Sequence, residues 1–411
     1  MSSSSKCDVL IAGAGPAGLA TALHLLRAHP ELKGRVVAIE KARHPRPKTC
    51  AGGLIPKTIL ALKELGLELE VPAIEVMRGS ARTVVGEVEM FRGDPLATVI
   101  RRDEFDARLA RAAQDAGLEI IDRCRVLEVA QSASSVDSVQ MRTERGTFEA
   151  PVLVGADGSG SRVRASVFGP GKESIGRALM IDIAVDPERT REFTEQRYIF
   201  DFKCVAAGIG GYAWSFPCLI DNRPHLNVGI YDQHPPHGGS TGKSPLPERL
   251  RDAFPELPLE GFEHRARNFK AFPIRWFNEN HRFVSGRVML AGDAAGVDPL
   301  MGEGISCAFE HGKLAARAIG AMLDGDRAAL VKYDVALHEG AVGRKLRKLA
   351  FAARHFYGPR HRLYFKLAAL SAKAQAVGVD WYNGAADFDE LPVRTLLGKW
   401  MRAVLFNSAV R

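Results

Sequence analysis

The first forty residues constrain this chain more than any other stretch. Val9-Leu10-Ile11-Ala12 is an apolar run that feeds directly into Gly13-x-Gly15-x-x-Gly18, and an Ala/Leu-rich helical pattern continues to about Ala28. A second apolar run, Val36-Val37-Ala38-Ile39, ends on Glu40. Each part has a role in holding a dinucleotide. Gly13 makes the tight turn, Gly15 lets the backbone approach a pyrophosphate, and Gly18 lets helix and strand pack closely. The helix start offers N–H groups and the positive end of its dipole to phosphate. Glu40, about twenty residues beyond the last glycine, is placed to accept a hydrogen bond from a ribose 2′-OH. A Gly-rich turn with a packing role only is the bland reading. Strand, helix, second strand and terminal acid in register outweigh it. An acid rather than Arg at that position favours FAD or NAD over NADP.

The chain has 411 residues, which suggests two joined domains. Met1-Ser-Ser-Ser-Ser-Lys6 contains no apolar segment, so no signal peptide is expected. No apolar run reaches the length of about eighteen residues that a membrane-spanning helix needs. The six cysteines are scattered with no C-x-x-C, which fits a reducing cytoplasm and no metal site. The net charge of +8 resembles a nucleic-acid signal, but residues 344–373 hold nine Lys/Arg and no Asp/Glu. The basicity is therefore local, and no nucleic-acid partner is expected. The segments around Arg344 and Arg360 read as amphipathic basic helices. A solvated helical face is the plain reading, and contact with anionic lipid is the sharper one.

Between these ends the pattern divides. Residues 41–56 form a Pro/Gly-rich loop carrying Cys50, for which a small buried hydrophobe and a site of close backbone approach weigh equally. A helix is expected over 57–65 and strands over 82–91 and 97–100. Arg102 precedes an amphipathic helix with Asp103 as its cap, and from spacing alone it reads as a solvated charge. Pro151 to Gly155 is a buried strand that turns at Asp157 into a helix starting near Ser161. From 178 to 272 short alternating stretches replace helical periodicity and predict an antiparallel sheet. There Tyr212, Trp214 and Phe216 share a face, read from pattern as core ahead of pocket lining. A last apolar strand ends at Gly292-Asp293. A loop with Gly302 and Gly304 then opens a long helix at Ile305, whose N-terminus suits partial negative charge.

Four fingerprints in order make this chain resemble the FAD-dependent oxidoreductases of the para-hydroxybenzoate hydroxylase fold. They are the Gly13/Gly15/Gly18/Glu40 unit, Arg102 in R-x-x-F-D, Gly155-Ala-Asp157-Gly, and Gly292-Asp293 with Pro299-x-x-Gly302-x-Gly304. Within that superfamily, Lys48-Thr-Cys50-Ala-Gly-Gly53 and Tyr212-x-Trp214-x-Phe216-Pro217 resemble the geranylgeranyl reductase family. Flavin halogenases carry a comparable W-x-W-x-I-P stretch, but here Tyr and Phe replace the first Trp and the Ile.

The resemblance implies an α/β fold with a Rossmann-like FAD-binding domain over 1–75, 96–175 and 274–325. An interleaved antiparallel-sheet substrate domain takes 76–95 and 176–273, and a helical C-terminal region takes 326–411. It implies FAD contacts at Gly13, Gly15, Ala17, Gly18, Glu40, Lys41, Arg102, Asp157, Asp293, Gly302, Gly304 and Ile305. Cys50, Tyr212 and Trp214 become catalytic candidates, with Cys50 as proton donor or gate. Hydride from reduced flavin would reach a carbon–carbon double bond of a prenyl chain or related lipophilic substrate, with NAD(P)H or another reductant binding transiently. Two alternatives stay open. One is a flavin monooxygenase or halogenase acting on an aromatic or carrier-bound substrate. The other is a flavoprotein that docks on a protein partner. The expected location is cytoplasmic, with peripheral contact at the inner membrane face through the basic tail.

Overall fold

The computed structural model describes residues 5–131, 137–169, 174–233, 245–257 and 269–385, together with residues 395 and 398. Its first sheet has six strands in the order Val284–Ser285, Val288–Leu290, Val152–Gly155, Val9–Ala12, Val36–Ile39 and Glu119–Ile121. All neighbours run parallel except the first pair. The central strands are continuous apolar runs because both faces are buried, in one core shared with helices and with a four-stranded sheet of Ser5–Lys6, Gly146–Ala150, Val139–Thr143 and Val126–Gln131. The helices of this part of the chain are α1 (Pro16–Ala28), α2 (Pro56–Glu64), α3 (Arg102–Asp115) and α4 (Arg162–Val167). α2 starts at Pro56, one residue earlier than expected, because proline suits the first helical position. α3 starts at Arg102 with Arg101 as its cap, which corrects the expectation that Asp103 caps it. Asp103 instead lies in the first turn, where a carboxylate complements the helix dipole.

The second sheet has seven strands: Lys270–Arg275, Ile175–Ala184, Arg223–Asp232, Gly211–Ile220, Arg197–Asp201, Arg78–Thr83 and Gly86–Phe91 in spatial order. It is mixed rather than antiparallel, because Arg197–Asp201 runs parallel to Arg78–Thr83. Those strands come from separate excursions of the chain, so no hairpin dictates their relative direction. The single strand expected over 82–91 is a hairpin. Its turn is closed by Thr83 Oγ1, which donates to the Gly86 carbonyl and accepts from the Val85 amide. The short helices α5 (Arg191–Thr194) and α6 (Leu246–Ala253) pack on the far face of this sheet.

The chain then returns to the first sheet and enters α7 (Ile305–Leu323), which lies against α1. A Cβ on Gly312 would stand 2.7 Å from Ala20 Cβ, so glycine is what lets the two helices touch. Helices α8 (Ala329–Glu339), α9 (Ala341–Phe356), α10 (His361–Ala369) and α11 (Ala372–Asn383) follow. The part of the expected helical tail beyond residue 385 lies almost entirely outside the described residues. The basic face is not simply solvated. Lys345 and Lys348 are buried, and Lys345 donates to the Tyr382 carbonyl at 2.8 Å. Arg354, Arg360, Arg362, Lys366 and Lys373 are exposed. Among the described residues no helix is long and apolar enough to cross a membrane.

Candidate active site

At one end of the parallel sheet the glycine turn is fixed by its neighbours. Gly13 has φ +100°, and a Cβ there would stand 2.4 Å from the Ala156 carbonyl oxygen. The Glu40 carboxylate, buried, accepts the Ala14 amide at 2.9 Å and the Ala42 amide at 3.0 Å. It therefore braces the turn as well as facing the space beside it. The start of α1 has no side-chain cap, and Pro16 contributes no N–H. Two other helix starts here are capped from within. Asp157 accepts the Arg162 and Val163 amides at 2.6 and 3.1 Å, and Ser161 Oγ accepts the Arg164 amide at 2.8 Å at the start of α4. Glu303 Oε1 accepts the Ile305 and Ser306 amides at 2.8 Å each at the start of α7. This corrects the expectation of an open α7 start, since its first amides already meet a carboxylate.

Above the uncapped α1 start lies Arg46. Its guanidinium would be 3.5 Å from a Cβ on Gly15, and it sits 3.7 Å from Glu40 and 3.5 Å from Asp106. Its buried Nε has no hydrogen-bond partner among the described residues. Uncapped amides and an under-satisfied guanidinium facing one cavity fit a diphosphate such as the one FAD carries. Arg102 is 8% exposed and reaches the fully buried Asp106 through two hydrogen bonds of 2.8 and 2.9 Å. Burial works against its charge, but Asp106 and the adjacent Cys50 outweigh burial and hold its pKa above the ordinary value. Asp293 accepts the Ser159 hydroxyl at 3.0 Å. A Cβ on Gly292 would stand 2.6 Å from Ala17 Cβ, so the two ends of the expected FAD contact set abut. Asp157, its pKa raised by burial, lines the same space, as do Gly302 and Gly304. Lys41 sits exposed at the rim.

One cavity of about 940 Å³ joins this cradle to the face of the second sheet. Strand register sets its floor. Phe272, Ala178, Tyr231 and Tyr212 form one row across four strands, and Met180, Gly229, Trp214, Phe200, Ala81 and Val88 form the next. Rings share these rows with Ala178, Gly229 and Ala81, which leaves a slot instead of a filled core. Gly229 is part of this shape, because a Cβ there would lie 2.2 Å from Trp214 Cζ2. The ceiling is α9–α11, through Phe356, Phe365, Ala368 and Val379. Cys50 sits at the junction, accepting the Gly52 amide at 3.4 Å.

Tyr212 and Trp214 have their polar atoms committed inside the protein. Tyr212 donates to the Met301 carbonyl, and Trp214 Nε1 donates to Asn227 Oδ1 at 2.8 Å. Burial raises the Tyr212 pKa further. Both are therefore walls of the slot that the protein itself holds in place. Sequence reasoning missed Arg46, Lys48, Tyr231 and the ceiling. Tyr231 carried a readable signal, since it continues the alternation of its strand. Its buried phenol oxygen has no partner among the described residues. The ceiling carried none, because nothing in α10 or α11 says which sheet they cover. No cluster of His, Cys, Asp or Glu suited to a metal occurs among the described residues.

Comparison with known proteins agrees with this geometry. The model of the FAD binding domain family matches residues 6–339. A digeranylgeranylglycerophospholipid reductase of Methanothrix thermoacetophila is 28% identical over 337 residues, covering 78% of this chain and 80% of the relative. A menaquinone reductase of Mycolicibacterium smegmatis is 28% identical over 333 residues, covering 76% of each. The crystal structure of a geranylgeranyl bacteriochlorophyll reductase-like protein from Thermoplasma acidophilum aligns over 96% of each chain with a TM-score of 0.73 at 21% identity.

Proposed function

The chain belongs to the FAD-binding domain family, and on that premise we propose that it reduces carbon–carbon double bonds in a prenyl chain or a related lipophilic substrate. One observation carries the reading: a single cavity connects a diphosphate-ready helix start to a ring-lined slot whose floor and ceiling are apolar. Relatives named as reductases of prenylated lipids and of menaquinone support the same chemistry. FAD would be held by the α1 start, Arg46 and Glu40 at its nucleotide end and by Asp293 and the Gly302–Gly304 loop toward its ring. When bound it supplies hydride. The slot binds an alkyl chain by burial, at roughly 0.8 kcal/mol per methylene-sized group removed from water. Tyr212, Trp214 and Phe200 hold that chain flat and exclude water. Cys50, at the junction, is the protein's own candidate for delivering a proton to the second carbon. NAD(P)H or another reductant would bind transiently as donor. The exposed cations of α10 and α11 suit an anionic lipid surface, which would bring the substrate to the ceiling of the slot.

Anaerobic mixing of dithionite-reduced protein with prenylated lipids and, separately, with aromatic acids tests the reading. Reoxidation of the bound flavin by prenylated lipid without oxygen is expected. Reoxidation only when oxygen and an aromatic acid are both supplied would replace it with hydroxylation.

A further inference from the structure

We propose that Lys48 is the counter-charge to the reduced flavin, a cation that the loop between Glu40 and α2 holds without a partner at the junction of cradle and slot. This rests on the FAD reading above. Lys48 lines the cavity, and its Nζ lies 3.4 Å from the centroid of the Phe272 ring. The cations deeper in the cradle already face carboxylates, because Arg102 is paired with Asp106 and Arg46 lies within 4 Å of both Glu40 and Asp106. Lys48 makes no hydrogen bond or ion pair among the described residues. Asp293 acts on it from beyond ion-pair distance, and the Asp293 carboxylate is already bonded to Ser159.

An aromatic face relieves one side of a partly buried ammonium but does not neutralise it. The remaining side opens into the cavity. Burial lowers the Lys48 pKa to about 8, with Asp293 and Cys50 pulling it up and Arg102 and Arg46 pulling it down, so the group keeps its proton at neutral pH. The ligand it suits is therefore an anion formed within the cavity. A flavin gains negative charge on its pyrimidine ring when it takes up two electrons and one proton. The α7 start, the obvious place to stabilise that charge, is occupied by the carboxylate of Glu303. Lys48 supplies what that helix start does not. Once a lipophilic substrate displaces water, the attraction between ammonium and reduced ring strengthens further.

The test is the midpoint potential of FAD bound to wild type, Lys48→Met and Lys48→Arg at pH 7, measured by equilibration with a reference dye. Lys48→Met should weaken binding of reduced relative to oxidised FAD at least tenfold, which lowers a two-electron potential by about 30 mV. Lys48→Arg should stay near wild type. Sulfite, which leaves a negative charge on the ring when it adds, should lose at least tenfold in affinity for the Met variant. Equal potentials and equal sulfite affinities in Met variant and wild type, both holding FAD, would overturn the proposal. If Lys48→Met does not retain FAD, wild type alone decides. Above pH 8 its potential should fall more steeply by about 30 mV per pH unit, the signature of one further proton taken up on reduction. An unchanged slope overturns the assignment. Wild type that never binds FAD would instead overturn the family-level reading.

Discussion

Arg102→Met isolates the buried ion pair that anchors the start of α3. The guanidinium is 8% exposed, its partner Asp106 is fully buried, and two hydrogen bonds of 2.8 and 2.9 Å join them. Because Asp106 is fully buried and Arg102 nearly so, solvent screening discounts the pair little. Removing Arg102 leaves the Asp106 carboxylate with Arg46 alone, at 3.5 Å. Stranding one member of such a pair costs about 3–5 kcal/mol, whereas replacing both members with apolar groups is close to neutral. Urea denaturation of the apo protein should therefore show Arg102→Met losing about 3 kcal/mol or more, and Arg102→Met/Asp106→Leu recovering most of it. Flavin retention through gel filtration then separates scaffold from ligand. If Arg102 touches FAD, the stable double variant still sheds it. A single variant that loses under about 1 kcal/mol, or a double variant no better than the single, would refute the account of the pair. A stable double variant that keeps FAD would remove Arg102 from the cofactor contacts.

Four further outcomes are expected. Two buried groups give opposing pH slopes. Burial raises Asp298 to about 6, so the fold gains stability below the ordinary carboxylate range and loses it as pH rises through 6. Burial lowers His311 to about 4, so its contribution is present above the ordinary histidine range and is lost as pH falls toward 4. His311→Gln should unmask the Asp298 slope, visible as stability that falls between pH 4 and 6 in urea titrations; a flat profile contradicts this. Tyr212→Phe should cost about 1 kcal/mol from its lost bond to Met301 and leave turnover within a fewfold of wild type. A hundredfold or larger loss of turnover would make the phenol an acid. Ala178→Leu, between Phe272 and Tyr231 on the floor, should leave FAD affinity unchanged and raise KM for prenyl substrates; an unchanged KM puts the substrate elsewhere. Lys366→Glu/Lys373→Glu should abolish co-sedimentation with anionic vesicles, and retained sedimentation removes α10 and α11 from the lipid surface.

The dinucleotide end was legible because its chemistry is local. Gly13, Gly15, Gly18 and Glu40 sit in one strand–turn–helix–strand unit whose spacing follows from backbone geometry. The slot was half legible. Alternation in 211–217 showed that Tyr212, Trp214 and Phe216 share a face, but alternation does not say what the face meets. What it meets is set by the neighbouring strand Arg197–Asp201, which pairs with Arg78–Thr83 more than a hundred residues away in sequence, and by helices that arrive last. The mixed character of the sheet was hidden for the same reason. The closed α7 start was missed because Glu303 sits between the two glycines that drew attention to the loop. Its side chain turns back onto the Ile305 and Ser306 amides, a local capping choice that competes with any ligand there.

The ceiling of the slot has a consequence for biosynthesis. A ribosome releases the glycine turn, Arg46, the ring-bearing strands and Asp293 before it has made α9, α10 or α11. The nascent chain thus displays a finished nucleotide cradle beside an unroofed apolar trough. Only when α9, α10 and α11 dock is that trough covered. Among the cavity's walls in the described residues, the roof is the last to be synthesised.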